Sequence, residues 1–394
     1  MSAVVRNVVK AGLYLDSIVL MQLSVELEAA PGVEEAVLMI GSEPNKRIMA
    51  DAGLLADAGR EAGANDLIIG LRTGSEAEAD AALVQAASLL ERRGSTGAGA
   101  SAELRPATIE SATAQLADAN LALISTPGVF AAREARKAID RGLNVMIFSD
   151  NVPLEDELAL KVEAGSRGLL VMGPDCGTAY IAGVPLAFAN IIARGGVGVV
   201  AASGTGLQEV SVLLTRAGQG LSHGIGVGGR DLSDAIGGLS TLRAIDLQEA
   251  DDATEHIMLI SKPPGVRTAQ RVYERLARCN KPVTLCLLGI DANEVPAGLG
   301  TVPTLKAAVE RVLGGSADDS FDIDGLARQI RQSAGSARHW VHGLYAGGTL
   351  CAEAQVVFRA AGLAPASNAP IAGSVSADSG ASHRLLDLGS DEYT

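Results

Sequence analysis

Aromatic residues are scarce: one Trp, five Tyr and five Phe make up 3% of a 394-residue chain. That scarcity excludes the aromatic platform on which proteins stack unpaired bases. Positive charge is short as well, with 32 Lys and Arg against 46 Asp and Glu, a net charge of −14. A surface of that sign repels nucleic acid and anionic lipid, so neither is an expected partner. Only four cysteines occur (Cys176, Cys279, Cys286 and Cys351), far apart and without a CxxC pair. They supply no disulfide framework and no zinc spacing with histidine, so no metal is expected and the expected compartment is the reducing cytoplasm. The N-terminus does not read as a signal peptide, because Asp16 interrupts its apolar stretch and a helical pattern continues past it. The uncharged stretch between Asp175 and Arg194 contains Gly177, Gly183, Pro185 and Asn190, which suits a buried loop and strand rather than a membrane span.

What is abundant is small and apolar. Hydrophobic residues make up 47% and charged residues 20%, with 46 glycines. This is the make-up of a globular chain with large cores, packed here through small side chains. Short apolar runs alternate with amphipathic helical patterns nearly throughout, the rhythm of βαβ units around parallel sheets. The expected class is therefore α/β and multidomain. Residues 1–92 read as an N-terminal α/β domain, with strands near 4–9, 35–40 and 66–71. Residues 93–102, rich in Gly, Ser and Ala, read as a flexible linker. Two further α/β domains are expected at 103–194 and 195–292. The looser segment 293–394 carries a Gly-rich loop and reads as the start of another domain.

Within this rhythm one turn is the most telling. The apolar run Val199-Val200-Ala201-Ala202 meets Ser203-Gly204-Thr205-Gly206, and a helical pattern follows through Leu207, Val210, Leu213 and Leu214. A strand ending in small residues that open a helix leaves backbone N–H groups without partners. The helix dipole adds positive potential at the same place. Ser203, Gly204, Thr205 and Gly206 thus form a candidate phosphate or carboxylate seat.

Other turns fall at the carboxyl ends of predicted strands, where open α/β sheets bind ligands. Ser125-Thr126-Pro127-Gly128 opens a helix, Ser149-Asp150-Asn151 follows the next strand, and Gly173-Pro174-Asp175-Cys176-Gly177-Thr178 a third. Gly224, Gly226 and Gly229 match the spacing of a GxGxxG loop, but no acidic residue closes a following strand, so the match is weak. Beside it Arg230 is a candidate anion contact, and Lys262, in Ser261-Lys262-Pro263-Pro264-Gly265, is another. Gly347, Gly348 and Thr349 open a helix and form a second candidate anion seat. His342 just before them is a candidate base or phosphoryl acceptor, without an adjacent acidic residue to orient it.

These motifs carry a resemblance. From about Leu121 to Gly289 the chain resembles the α subunit of succinyl-CoA synthetase, through Gly173-Pro174-Asp175-Cys176-Gly177, Gly198 to Thr205 and the Gly224 to Asp231 run. That family implies a CoA-binding Rossmann-like domain followed by a flavodoxin-like ligase domain. Over nearly its whole length the chain resembles the FdrA family, through Phe148-Ser149-Asp150-Asn151-Val152, Val171 to Thr178, Gly228-Gly229-Arg230-Asp231-Leu232, Ser261-Lys262-Pro263-Pro264 and Gly343 to Leu350. The segment before the linker is peculiar to FdrA-like chains. The resemblance implies a subunit of an oxamate carbamoyltransferase of allantoin catabolism, working with other subunits and using carbamoyl phosphate or phosphate as substrate. Lys262 and Arg230 would then offset charge, and Asn151 and Asp175 would orient the amide. The alternatives are a nucleotide-dependent acid–CoA ligase subunit, with CoA on the Ser125 to Gly128 turn and phosphate on His342, and a non-catalytic scaffold. The synthetase has an acidic residue where this chain has Lys262, which places a phosphohistidine relay in question.

Overall fold

A computed structural model describes residues 4–13, 15, 17–98, 106–317, 322–334, 340–372, 374–376 and 383–389. The chain divides into two compact units, Met1–Arg105 and Pro106–Thr394. In the first, β1 (Val4–Lys10), α1 (Ser17–Glu28), β2 (Val33–Ile40), α2 (Glu43–Asp51), α3 (Asp57–Glu61), β3 (Leu67–Thr73) and α4 (Glu76–Ala98) follow in order. The strands form an antiparallel sheet of order β1-β3-β2. Central β3 is apolar on both faces because both are covered. Leu67, Ile69 and Leu71 pack with Leu23, Leu27 and Ala82, while Ile68 packs with Met49 and Ala62. This is the strand period of two.

Helix α4 continues to Ala98, past the expected helix end at Arg92 and into the expected linker. A glycine costs a helix interior only about 1 kcal/mol, and Gly94 and Gly97 do not end it. The remaining linker residues, 99–102, lie outside the described ones.

The second unit opens with α5 (Ile109–Gln115), β4 (Leu121–Ile124), α6 (Gly128–Asp140), β5 (Asn144–Ile147), α7 (Leu154–Ser166) and β6 (Val171–Met172). β4-β5-β6 is a parallel sheet. Next come β7 (Thr178–Ile181), β8 (Val184–Ala187), β9 (Arg194–Ala201), α8 (Gly204–Arg216), β10 (Leu221–Gly226), α9 (Leu239–Ala250), β11 (His256–Ser261), α10 (Val266–Leu276) and β12 (Val283–Leu287). They are followed by β13 (Gly300–Val302), α11 (Leu305–Leu313), α12 (Ile323–Ala334), β14 (His342–Tyr345), α13 (Gly348–Ala360), β15 (Ala366–Ser367), β16 (Val375–Ser376) and β17 (Arg384–Asp387).

The large sheet has the order β13-β12-β11-β9-β10-β7-β8. It is parallel from β13 to β10, and the antiparallel β7–β8 hairpin forms one edge. Residues on both sides of the expected 195–292 segment therefore join one sheet. A last parallel sheet, β14-β17-β15-β16, lies in the C-terminal segment.

Side chains of β9 alternate between two cores. Val199 and Ala201 pack with Leu207, Val210 and Leu214 of α8, and Val200 packs with Ala244 and Ile245 of α9. From β9 the chain steps one way to β10, then crosses back over β9 to β11. The reversal leaves a crevice at the carboxyl end of β9, where such sheets take their ligands. Ser203 to Gly206 stand at that point.

Candidate active site

Ser203 is the N-cap of α8; its Oγ accepts from the Gly206 N–H at 3.0 Å. The same oxygen lies 2.5 Å from Oγ1 of Thr349, in the first turn of α13. A Cβ at Gly347 would stand 3.1 Å from Cγ2 of Thr205. Two 13-residue helices thus bring their N-termini together. Each such end carries roughly half a positive charge in effect.

Between them lies a cavity of about 400 Å³, within the usual size for a small-molecule site. Ser203, Gly204 and Thr205 line it on one side and Gly347, Gly348 and Thr349 on the other. Asp175, Cys176, Gly177, Thr178, Ala201, Ala202, Gly226, Gly228, Gly229, Ser261, Lys262 and Asp387 complete the wall. Lys262 reaches in: its Nζ lies 2.9 Å from the place a Cβ on Gly348 would take, and Oδ2 of Asp387 lies 2.9 Å from the same place. A groove of about 600 Å³ along α10 is larger. Its lining of Pro263, Pro264, Ala269, Tyr273, Ile290 and Pro296 is mostly apolar, its charged members are Glu274 and Glu294, and no Lys or Arg is among the described residues lining it, so the smaller cavity, with Lys262 and two helix starts, is the better seat for an anion.

The glycine run has a packing role. Gly224 and Gly226 belong to β10, and a Cβ on either would stand 2.7 Å from Cδ2 of Tyr180 or 2.5 Å from the Thr178 carbonyl oxygen. Gly228 has φ +87 and would put a Cβ 2.4 Å from the Pro174 carbonyl oxygen. These glycines let β10 and the loop after it approach the Gly173–Thr178 turn. Cys176 donates to the Gly226 carbonyl at 3.3 Å, and burial pushes its thiol up to about 12. Burial thus disfavours the thiolate that a nucleophilic cysteine needs.

Of the residues singled out in the sequence, Asp175, Ser203, Gly204, Thr205, Lys262, Gly347, Gly348 and Thr349 share this cavity, with Gly206 in the same helical turn. The others lie elsewhere. Arg230 donates to the Val152 carbonyl at 2.7 Å and pairs with Glu157 at 2.9 Å. It thereby joins a buried network in which Lys161 meets Glu157 and Asp231, each at 2.8 Å. His342 is exposed at the start of β14 and is not part of the cavity lining. Ser125, Gly128 and Asn151 stand at the carboxyl edge of the β4-β5-β6 sheet. There Ser149 Oγ donates to the Thr126 carbonyl, and a Cβ on Gly128 would lie 2.2 Å from the Asp150 carbonyl oxygen. Gly128 opens α6 with no side-chain cap, so that helix end faces this second group of turns. Asp387 was not anticipated. Its only signal in sequence is an acidic residue closing a short apolar run, a common pattern.

Among the described residues no helix is long and apolar enough to cross a membrane. Residues 1–106 match the family described as AllF, heavy metal-associated domain. This stretch contains neither Cys nor His. Among the described residues no group of three His, Cys, Asp or Glu is placed to hold a metal, so the donor set does not fit a thiophilic ion. The ADP-forming succinate–CoA ligase subunit alpha 2 of Archaeoglobus fulgidus is 29% identical over 217 residues, 50% of this chain and 73% of that subunit. A solved ATP citrate lyase from Methanothrix soehngenii, in complex with citrate and coenzyme A, aligns with 59% of this chain at 20% identity and a TM-score of 0.40, too low to bear on the site. The chain spans 43% of that lyase chain. The uncharacterized protein YahF of Escherichia coli (strain K12) is 44% identical over 358 residues, 89% of this chain and 68% of YahF. The fold is multidomain α/β with a segment similar to succinate–CoA ligase α subunits, and the chain belongs to the family of YahF.

Proposed function

We propose that this chain is a subunit of an acid–CoA ligase-type enzyme that holds a phosphoryl group between the starts of α8 and α13. The observation that carries the reading is the convergence of two helix N-termini and Lys262 on one cavity. Such a seat favours negative charge that develops on an oxyanion. The similarity to succinate–CoA ligase α subunits supports CoA as the second ligand, with the uncapped start of α6 and the Ser125 to Gly128 turn meeting its phosphates. Other subunits complete the enzyme in this reading, as the relatives' designation as α subunits suggests.

One observation favours a second reading. No histidine is among the described residues lining the cavity, and Lys262 stands in it. That suits direct attack by phosphate without a phosphohistidine, as in the phosphorolysis of a small amide that yields a carbamoyl phosphate. The FdrA resemblance points the same way, while the ligase relatives do not.

Calorimetric titration of the chain with CoA and, separately, with carbamoyl phosphate tests both. CoA binding with no carbamoyl phosphate signal supports the ligase. Carbamoyl phosphate binding that Ser203→Asp abolishes, with CoA silent, supports the transferase. Silence toward both counts against a site complete in this chain alone and favours a scaffold or a site that needs the other subunits.

A further inference from the structure

Helix α12 has no cover for its apolar side. Ile323, Leu326, Ala327 and Ile330 recur at the spacing that puts them on one face of a helix. Ile323 is 66%, Leu326 41% and Ile330 54% exposed, and none of the side chains of residues 323–333 is buried. A 12-residue helix draws most of its stability from packing such a face, since alone in water it is marginal. Arg331, next to Ile330, gives the stripe a cationic flank. Arg328, farther round the helix, pairs with Asp322 at 3.8 Å.

The groove along α10 is the counterpart. It lies between α10 and the Ile290 to Pro296 loop and offers about 600 Å³. Pro263, Pro264, Val266 and Ile290 give it apolar walls, and Val266 is 84% exposed. Its charged members, Glu274 and Glu294, are both exposed. An apolar trough with acidic edges suits an apolar helix with a cationic edge, anchored at i, i+3 and i+7. Two copies of a chain with net charge −14 repel over most of their surfaces. Opposite charges at one contact therefore select where they meet.

We propose that α12 of one copy docks in the α10 groove of a second copy, with Ile323, Leu326 and Ile330 inward and Arg331 facing Glu274 and Glu294. Within one chain the two surfaces do not cover each other, because α12 stays exposed along its length. Helix and groove belong to the same chain, so the contact is made twice about a two-fold axis and closes as a dimer. The dimer does not depend on the anion seat.

The test is sedimentation velocity of the whole chain at micromolar concentration, repeated with a synthetic peptide of residues 322–334 as competitor. Wild type should sediment as a dimer, and excess peptide should convert it to a monomer with peptide bound. Ile330→Asp, and Glu274→Lys combined with Glu294→Lys, alter exposed side chains only. Both proteins should melt as wild type does and be monomeric. Adding Arg331→Glu to the double lysine variant should restore the dimer, which a merely structural effect would not do. A wild-type chain that stays monomeric overturns the proposal. A dimer that resists both Ile330→Asp and the peptide is held by another surface and overturns it too. Failure of Arg331→Glu to restore the dimer overturns the pairing of Arg331 with the two glutamates. Peptide bound to a wild-type chain that is monomeric without it assigns the groove to a helix of a different polypeptide and overturns the second copy as occupant.

Discussion

Replacing Lys161 with methionine should be among the most damaging single changes in this protein. Its ammonium donates to Glu157 Oε1 and Asp231 Oδ1 at 2.8 Å each and to the Val227 carbonyl at 3.1 Å. The three side chains are at most 1% exposed. Asp231 also accepts from the Ser240 and Thr241 N–H groups and the Thr241 hydroxyl, which ties the network to the start of α9. An intact buried network of this kind adds little over a well-packed apolar one, because desolvation offsets the attraction. Removing one partner is different, since Glu157 and Asp231 stay buried with their central counter-charge gone, at a cost of about 3–5 kcal/mol. For a unit of this size that corresponds to a fall in Tm of roughly 5–8 °C. The assay is thermal unfolding followed by circular dichroism, with Arg167→Gln as the control. Arg167 pairs with Asp140 and Glu163 at 2.9 and 2.8 Å, but at 40% exposure, so its loss should cost less than about 1 kcal/mol. Adding Glu157→Gln to Lys161→Met should recover part of the loss, since one buried charge is then gone. A Lys161→Met protein that melts within a degree or two of wild type would refute the reasoning.

Other consequences concern the helix cap, the backbone, histidine and thiols. Ser203→Ala should lower stability by about 1 kcal/mol through loss of the α8 cap, measured by urea unfolding, and should weaken phosphate binding in the same preparation. Gly228→Ala should cost more than that, because φ is +87 and the new Cβ meets the Pro174 carbonyl oxygen at 2.4 Å; a variant as stable as wild type contradicts the close approach. Burial and then Arg311 hold His256 below its ordinary 6.5, and burial lowers His223 despite Asp251. As pH falls below 6.5 the unfolded chain takes up protons first, so stability present above 6.5 should decline toward pH 5, and His256→Gln should flatten part of that slope. Burial pushes Cys176 and Cys286 up to about 12. Both thiols should resist a disulfide reagent at pH 8 in the native chain and react once it is unfolded; fast native labelling of either would contradict their burial.

Much of the fold was legible because local chemistry wrote it. The β-branched run into Ser203-Gly204-Thr205-Gly206 announced a strand, a cap and a helix start, and each group acts within a few residues of its neighbours. The Gly347 to Thr349 loop was legible for the same reason. The meeting of these two loops was not, because it depends on how α13 packs beside α8, across more than 140 residues of chain. Arg230 looked like a free anion contact, but its partner Glu157 lies far off in the chain. The pairing of Lys161 with Asp231 spans 70 residues, and no spacing rule reaches that far. His342 drew attention by preceding a glycine loop, and its exposed place on β14 follows from strand direction alone. The order of the seven-stranded sheet was hidden as well, since β13 and the β7–β8 hairpin join it from beyond the expected boundaries.

The most direct measurement is a crystal structure of the chain grown with inorganic phosphate. The account predicts an anion between α8 and α13, within hydrogen-bond distance of their first-turn N–H groups and of Lys262 Nζ. Phosphate bound elsewhere on the protein, with this cavity holding only water, would contradict it.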